Sequence, residues 1–212
     1  MQGNASGKTV LIASAGCAAG LTLAGGFARA GAGVIAIDHD EDRNTALARM
    51  NPSRIETLRL DVLRPRQCRD LGDIWQDTPI DLLIHLQALR DPTRLGAAIT
   101  SIPVLTRALA PGLRRGRGKV LIVYDTASAD ASAETLAYRS ALTDLAPLMQ
   151  AEMGAPFAIN ALRLHKSDPI LPQARRAAGA LLMAAMYLDR TGAGGGLWLG
   201  SDGLRAPRVM RD

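Results

Sequence analysis

The feature that most constrains the fold is a strict alternation of short apolar runs with longer runs of helical periodicity. The chain begins with KTVLIAS, LTLAGGFARAGA, GVIAID, EDRNTALARM and IETLRLDV, which predict strand, helix, strand, helix and strand. The alternation continues as far as GLWLGSD and gives seven predicted strands and six predicted helices. Strands that are joined through helices lie parallel, with right-handed crossovers. The sequence therefore predicts an α/β fold with a doubly wound, parallel seven-stranded sheet and helices on both faces, in three αβα layers.

The chain has the size and composition of one domain. It has 212 residues, of which 48% are hydrophobic and only 3% are aromatic. Its core must therefore be built from Ala, Leu, Ile, Val and Met, which suits helices packed on a buried parallel sheet. Because no repeat, low-complexity tract or linker divides the sequence, we expect a single domain over residues 1–212.

Charge, hydropathy and cysteine content exclude several classes of function. The net charge is +5, but the densest basic run, LRRGRGK at 113–119, has no aromatic residue nearby to stack on bases. We therefore predict a solvated loop there and no nucleic-acid binding. We expect no membrane association, because the N-terminal residues lack a signal-peptide pattern and no apolar stretch reaches the roughly 18 residues of a membrane span. Cys17 and Cys68 lack metal-type spacing, which predicts no metal site and a reducing cytoplasm.

The turn after the first strand is the first candidate site. Residues 13–20 read ASAGCAAG and open directly into a helix. Small residues such as Ser14, Gly16 and Gly20 let backbone N–H groups approach a pyrophosphate at a helix N-terminus. Asp38 closes the second strand, where a carboxylate accepts hydrogen bonds from a ribose diol. Two interpretations stay open at this point: a nucleotide site, and a tight strand-to-helix connection without a ligand.

Further landmarks extend over nearly the whole chain. Asp61-Val62 follows the third predicted strand, Asn160 lies in INALRL, and Asp202 lies in WLGSDG. With the first turn, they resemble the D-V, V-N-A and V-D-G signatures of the short-chain dehydrogenase/reductases, a family with a Rossmann-like fold. The resemblance implies NAD or NADP as cofactor, and Asp38 favours NAD. The cofactor-binding residues that it implies are Ser14, Gly16, Gly20, Asp38, Asp61 and Val62.

The chain departs from the family pattern at two turns. The family motif T-G-x-x-x-G-x-G aligns with Ala13, Ser14, Ala18 and Gly20, so that only the last position agrees. The N-N-A-G motif after the fourth strand is replaced by HLQA at 85–88. The residues that would surround the cofactor therefore differ from those of the family.

Tyr138 aligns with the family's catalytic tyrosine, which passes a proton to or from the substrate while nicotinamide exchanges hydride. A free phenol has a pKa of about 10, which the family lowers with a lysine four residues later. That position is Leu142 in this chain. The family's serine, 13 residues before the tyrosine, is Asp125, which cannot donate a hydrogen bond when ionised. The helix-five asparagine aligns with Ala98, so that only Tyr138 remains of the four catalytic positions.

A re-equipped catalytic site is the alternative that the sequence leaves open. His85, Asp125 and His165, with Lys166, follow the ends of three predicted strands, and Tyr138 begins near the same edge. The carboxyl ends of parallel strands face one crevice, and a histidine beside a carboxylate is an acid–base pair. In this interpretation, Asp125 or His165 assists Tyr138.

The first functional hypothesis is an SDR-fold protein without standard hydride transfer, which acts as a non-catalytic binding, regulatory or assembly protein. The alternative is a divergent NAD(P)-dependent oxidoreductase for a small carbonyl or alcohol, with Tyr138 as its acid–base. The resemblance also implies a homodimer, or a protein partner, through the helices near 96–112 and 138–153. The apolar residues predicted on those helices are Ile102, Leu105, Leu109, Leu142, Leu145 and Leu148.

Overall fold

The structure is a computed structural model that describes residues 5–125, 130–154 and 156–164, and the backbone of 196–200 and 203–205. The strands are β1 Thr9–Ala13, β2 Gly33–Asp38, β3 Ile55–Arg59, β4 Leu82–His85, β5 Lys119–Asp125, β6 Ala158–Leu164, β7 Gly196–Gly200 and β8 Gly203–Arg205. The helices are α1 Ala18–Arg29, α2 Glu41–Met50, α3 Pro65–Trp75, α4 Gln87–Arg90, α5 Leu95–Ala108, α6 Ala110–Gly116 and α7 Ala133–Met153. The helix predicted at 173–189 lies outside the described residues.

The strands form one sheet in the order β3-β2-β1-β4-β5-β6-β7-β8. All neighbouring pairs from β3 to β7 are parallel, and β8 is antiparallel to β7. The predicted doubly wound α/β fold is confirmed, and in the described residues one short antiparallel strand, β8, lies beyond the seven parallel strands. The additional strand, β8, has three residues, which is too short for a hydrophobic pattern to identify.

Helices cover both faces of the sheet. On one face, α1 and α2 bury Leu23, Phe27 and Leu47 in a core that includes Ile12. On the other face, α3, α5, α6 and α7 bury a second and larger set against the opposite side of the same strands, including Leu71, Ile102, Leu105, Leu109, Leu113, Leu142 and Met149. These two apolar layers fix the sheet between helices, as predicted from the composition.

Burial corrects the predicted partner face. Of the apolar residues predicted on the two helices, Ile102, Leu105, Leu109 and Leu142 are buried in the core of their own chain. They cannot contact a second protein because their side chains pack on the sheet. Leu148, by contrast, is 66% exposed, and Leu136 on the same helix is 51% exposed. The exposed leucines of α7 are therefore Leu136 and Leu148, of which only Leu148 is among those predicted.

Two local predictions also change. The predicted helix near 93–110 ends at Ala108, and α6 follows it, with a proline in its first turn. The basic run at 113–119 is therefore largely helical rather than a loop, and its left-handed residue, Arg117 (φ 46°), ends the helix. Helix α7 begins after Ser132, whose hydroxyl accepts the Thr135 N–H at 3.2 Å.

The chain reverses its direction across the sheet between β1 and β4, because β2 and β3 lie on one side of β1 and β4 to β7 on the other. At such a switch point, the carboxyl ends of the strands border a crevice in which ligands bind. The β1–α1 turn and the ends of β2, β4 and β5 all lie at this edge. The predicted residues Ser14, Gly16, Asp38, His85 and Asp125 lie in this turn or at these strand ends.

Candidate functional site

The β1–α1 turn retains a tight geometry without the family's glycines. Ser14 has a left-handed backbone with φ of 61°, which glycine adopts without strain. The Ala15 N–H donates to the Ile37 carbonyl at 2.9 Å, which fixes the turn against β2. A Cβ added to Gly20 would overlap the Ala15 carbonyl group. Gly20 is therefore required for the close approach of α1 to β1, whether or not a ligand binds.

Gly16 gives Asp38 access to the same turn. The Gly16 N–H donates to Asp38 Oδ2 at 2.7 Å. A Cβ on Gly16 would lie 2.6 Å from that oxygen, closer than atoms of real side chains approach. The sequence predicts that both residues face a nucleotide. In the structure they face each other, and the missing side chain of Gly16 makes room for a carboxylate of the same chain.

The carboxylate of Asp38 has a full set of donors. Besides Gly16, it accepts from the Asp40 N–H at 3.0 Å and from Arg90 Nε and Nη2 at 3.3 and 3.5 Å. Each oxygen thus accepts from two donors, which is the capacity of a carboxylate. The imidazole of His39 lies 3.6 Å from Oδ1, and the Asp38 side chain is 0% exposed.

Arg90 comes from a different part of the chain. It ends α4, which follows β4, so that its side chain passes the end of β1 to reach β2. It is 22% exposed and also lies 3.5 Å from Asp40 Oδ2. Partial burial lowers the pKa of Arg90, but the hydrogen bond and the charge of Asp38 outweigh it, so that the pKa lies above its ordinary value. The guanidinium is therefore a permanent cation and the solvent-accessible partner of the Asp38 carboxylate.

These contacts test whether a nicotinamide dinucleotide fits. Its adenosine ribose needs a free acceptor at the end of β2, and its pyrophosphate needs backbone N–H groups in the first turn. Both oxygens of Asp38 are occupied by donors, and the Gly16 N–H is occupied by Asp38. The predicted cofactor residues do not fit a dinucleotide in this arrangement, because they bind one another.

The other predicted cofactor residues have local structural roles. The Asp61 carboxylate accepts from the Leu63 N–H at 3.0 Å and from Arg64 Nε at 3.2 Å. These bonds fix the turn that leads into α3. Val62 is buried, and its carbonyl accepts from the Cys68 thiol at 3.3 Å. Asp61 and Val62 therefore stabilise the β3–α3 connection by contacts that require no ligand.

Tyr138 lies in the second turn of α7 and packs toward α5. A Cβ on Gly96 would lie 3.2 Å from the Tyr138 hydroxyl oxygen, so that the glycine leaves room for the ring. A hydrogen bond to Glu134, one turn earlier, and the negative charge of that residue raise the pKa of Tyr138. Leu142, at the position of the family's lysine, is 0% exposed in the core. Glu134 therefore raises the pKa of the Tyr138 phenol, and Leu142 supplies no cation that would lower it.

Asp125, at the end of β5, is paired with an arginine that the sequence does not single out. Nη1 of Arg139, the residue after Tyr138, donates to both Oδ1 and the carbonyl oxygen of Asp125. The side chains of Asp125 and Arg139 are only 20% and 11% exposed. The carboxylate that was predicted to assist Tyr138 is therefore committed to a neighbouring cation. Residues 126–129 lie outside the described ranges.

His85 does not face the crevice, and its predicted role there is wrong. The imidazole is fully buried, with Nε2 at 2.9 Å from Thr106 Oγ1 and Nδ1 at 3.1 Å from Gln87 Nε2. Thr106 donates its own proton to the Ile102 carbonyl, so that Nε2 of His85 is the donor to Thr106. Burial lowers the pKa of His85 to about 3, which keeps it neutral. His165 and Lys166, the other predicted members, lie outside the described residues.

The cavity that the described residues form beside α2 lies apart from the predicted site residues. A cavity of about 500 Å³ lies between α2 and β3, and residues such as Asn44, Arg49 and Thr57 line it. None of the predicted site residues borders it. In the described ranges, no three His, Cys, Asp or Glu side chains are grouped to hold a metal ion. No helix of that part of the chain has the length and apolar character to cross a membrane.

Solved structures resemble the chain at low sequence identity. No protein-family model and no curated protein matches it. A gluconate 5-dehydrogenase from Burkholderia cenocepacia, solved in complex with NADP and tartrate, is 21% identical with a TM-score of 0.70, over 91% of this chain and 93% of that one. A short-chain dehydrogenase from Streptomyces avermitilis is 20% identical, with a TM-score of 0.68 over 93% and 89%.

A further structure, described as a short chain dehydrogenase/reductase family protein, has a TM-score of 0.73 at 19% identity, over 92% of this chain and 96% of that one. These identities show a common fold and carry no residue roles. The chain therefore has the fold of the short-chain dehydrogenase/reductase superfamily.

Proposed function

We propose that the protein does not catalyse hydride transfer and serves as a binding, regulatory or assembly protein built on this fold. The environment of Tyr138 is the observation that carries the proposal. General acid–base catalysis at neutral pH needs a phenol whose pKa is lowered toward 7. Here Glu134 raises the pKa of Tyr138, and Leu142 stands where a cation would lower it.

The Asp125–Arg139 pair supports the same conclusion. In acyl and carbonyl chemistry, a neutral donor that points at the developing oxyanion supplies much of the rate acceleration. Asp125 carries acceptor oxygens, and Arg139 Nη1 donates to it rather than to a substrate. Neither residue is therefore arranged as the donor that the family's serine provides.

A divergent oxidoreductase is the second candidate. It is favoured by the likeness to the gluconate 5-dehydrogenase, which is solved with NADP. In this alternative, Tyr138 is the acid–base, Asp125 or His165 assists it, and NAD or NADP binds at the first turn. It requires that the contacts of Asp38 with Arg90 be broken when the cofactor binds.

The partner in the first proposal is a second copy of the chain, which binds through α7 beside α5. Two of the four large hydrophobic side chains that are exposed in the described residues, Leu136 and Leu148, lie on α7. Contact with a second copy would remove these two side chains from water. We expect Leu148→Asp to convert a dimer to a monomer in analytical ultracentrifugation. Ile74→Asp on α3, where Ile74 is 76% exposed, is the matched control and should leave the dimer intact.

Cofactor titration and turnover test the proposal directly. We expect no binding of NADH or NADPH below the millimolar range in fluorescence and thermal-shift titrations of the unmodified protein. We also expect no oxidation of either cofactor with a panel of aldehydes, ketones and sugar acids. Turnover that is lost in Tyr138→Phe would contradict the proposal and establish the oxidoreductase alternative.

A further inference from the structure

We propose that the Arg90 side chain is an internal occupant of the ribose site, and that it excludes an NAD-type dinucleotide by holding both oxygens of Asp38. This inference builds on the proposed function, because it explains how a chain of this fold lacks its nucleotide. It assigns the exclusion of the ribose to one side chain of α4, whereas the Gly16 N–H stays bonded to Asp38 with or without Arg90.

The donors of Asp38 fall into two groups. The N–H groups of Gly16 and Asp40 are backbone donors, one to each oxygen, at 2.7 and 3.0 Å. The guanidinium of Arg90 supplies the second donor to each oxygen, at 3.3 and 3.5 Å. Removing the guanidinium would leave the carboxylate in place and free one acceptor position on each oxygen. Two adjacent acceptors are what a diol with two hydroxyl donors requires.

The exposure and anchoring of the two residues indicate that Arg90 can be removed while Asp38 stays in place. Asp38 is 0% exposed and Arg90 is 22% exposed, so that the arginine is the solvent-accessible partner of the pair. Asp38 is also anchored through its backbone, because its carbonyl accepts from Asn44 Nδ2 at 2.9 Å and from the Leu60 N–H at 3.1 Å. The loss of Arg90 therefore uncovers the carboxylate without releasing it.

The charges predict which dinucleotide would enter. With Arg90 removed, Asp38 and Asp40 leave two carboxylates at the end of β2. A 2′-phosphate would be repelled there, whereas a free 2′-hydroxyl would donate a hydrogen bond. The ligand class is therefore an adenine dinucleotide with an unmodified ribose, such as NADH, and not its 2′-phosphorylated counterpart.

Arg90→Met tests the inference, because methionine keeps the apolar stem and removes the donors. We expect NADH to bind this variant at least tenfold more tightly than the unmodified protein in isothermal titration calorimetry, with less than a threefold change for NADPH. Arg94→Met is the matched control, because Arg94 pairs with Asp91 at 3.7 Å near the same edge but does not touch Asp38. It should bind NADH as the unmodified protein does.

A second variant separates occupancy of the ribose site from a general effect of the substitution. In Asp38→Asn/Arg90→Met, the gain for NADH should disappear, because the amide presents only one acceptor oxygen. Arg90→Gln replaces Arg90→Met if the latter fails to give the native circular dichroism spectrum. A folded Arg90 variant that binds NADH no more tightly than the unmodified protein would overturn the inference.

The outcomes distinguish this inference from the proposed function. Turnover by the unmodified protein would refute the non-catalytic proposal, whatever Arg90 does. A failure of Arg90→Met to gain affinity, with no turnover by the unmodified protein, would refute only the role of Arg90. Equal gains for NADH and NADPH would also refute it, because they would show a change in net charge and not an uncovered diol site.

Discussion

The ends of β2 and β5 each carry an aspartate that is paired with an arginine, and the two pairs are built in opposite ways. At β2, the aspartate is the inner partner: Asp38 is 0% exposed and Arg90 is 22% exposed. At β5, the arginine is the inner partner: Arg139 is 11% exposed and Asp125 is 20% exposed. One pair comes from distant segments, whereas the other joins a strand to the helix that follows it.

The resemblance drawn from the sequence implies that a position of this fold can change its role in two ways. At β2 the residue type is retained, and a new partner occupies it. At β5 the residue type itself is changed, and the next helix neutralises the new charge. Only the change at β2 leaves a carboxylate, Asp38, that could bind a ribose diol after a single substitution of Arg90. Under the proposed function, the end of β2 is thus closer to ligand binding than the end of β5.

Removing the inner partner of the β2 pair should have the largest effect. Asp38→Ala leaves the Arg90 guanidinium and the N–H groups of Gly16 and Asp40 without their acceptor. Breaking a buried pair in this way costs about 3–5 kcal/mol of the free energy of unfolding. Urea denaturation measures the change. A loss as small as that of a surface substitution would show that the pair is not buried in solution, and the comparison would fail.

A pH titration isolates His85, which ends the strand next to β5. Its pKa is about 3 in the folded chain and 6.5 in a model compound, so that the unfolded chain binds a proton first. Its contribution to stability is complete above pH 6.5 and is lost as the pH falls toward 3. Between pH 7.5 and 4.5, we expect the free energy of unfolding to fall by about 2–3 kcal/mol from this residue.

His85→Gln is the control for that titration, because Gln retains hydrogen-bonding atoms but does not titrate. The difference between the two proteins in the slope of unfolding free energy against pH measures the histidine alone. If both slopes are equal below pH 6.5, His85 is accessible to protons in the folded chain, and the buried network with Thr106 and Gln87 is not maintained.

Removing the inner partner of the β5 pair should cost less. Arg139→Met leaves Asp125 with partial access to water, and the side chain that is lost has a buried Nε without a hydrogen-bond partner in the described residues. We expect a loss of about 1.5–3 kcal/mol, the usual size for a hydrogen bond to a charged group. Urea denaturation beside Asp38→Ala gives the ranking. A loss equal to that of Asp38→Ala would remove the distinction between the pairs.

Tyr138→Phe should have the smallest effect of all. The hydroxyl bonds to Glu134 near the surface, and its ring keeps the contact with Gly96 when the oxygen is removed. We expect a melting temperature within experimental error of the unmodified protein. A large change would show that the hydroxyl has a partner in the crevice, which would favour the catalytic alternative.

The sequence predicts the architecture well because the alternation of apolar runs is a local signal. It places Asp38 and Gly16 correctly at one edge, since both follow predicted strands. It does not identify Arg90, because nothing in residues 87–90 indicates a partner on β2. Arg139 is missed for the same reason. Ion pairs depend on which strands become neighbours, and the hydrophobic pattern does not specify how a side chain crosses the end of a strand.

The error for His85 has a different origin, because the necessary signal is present. Successive side chains of a strand point to opposite faces. Leu83 packs in the core beneath α5, and Ile84 packs on the α1 face, so that His85 points with Leu83 toward α5. Alternation within β4 therefore predicts a buried imidazole. The location of His85 at a strand end suggests an exposed residue at the edge of the sheet. This indication is weaker than the alternation of side chains along β4.

The span of the Asp38 contacts has a consequence for the order of folding. Asp38 lies 22 residues from Gly16 and 52 from Arg90, so that β1, β2 and β4 must already be assembled before the second contact forms. Interactions made after the transition state change the unfolding rate and leave the folding rate nearly unaltered. If Arg90 and Asp38 pair after the transition state, Arg90→Met should raise the unfolding rate in a chevron experiment and leave the refolding rate unchanged.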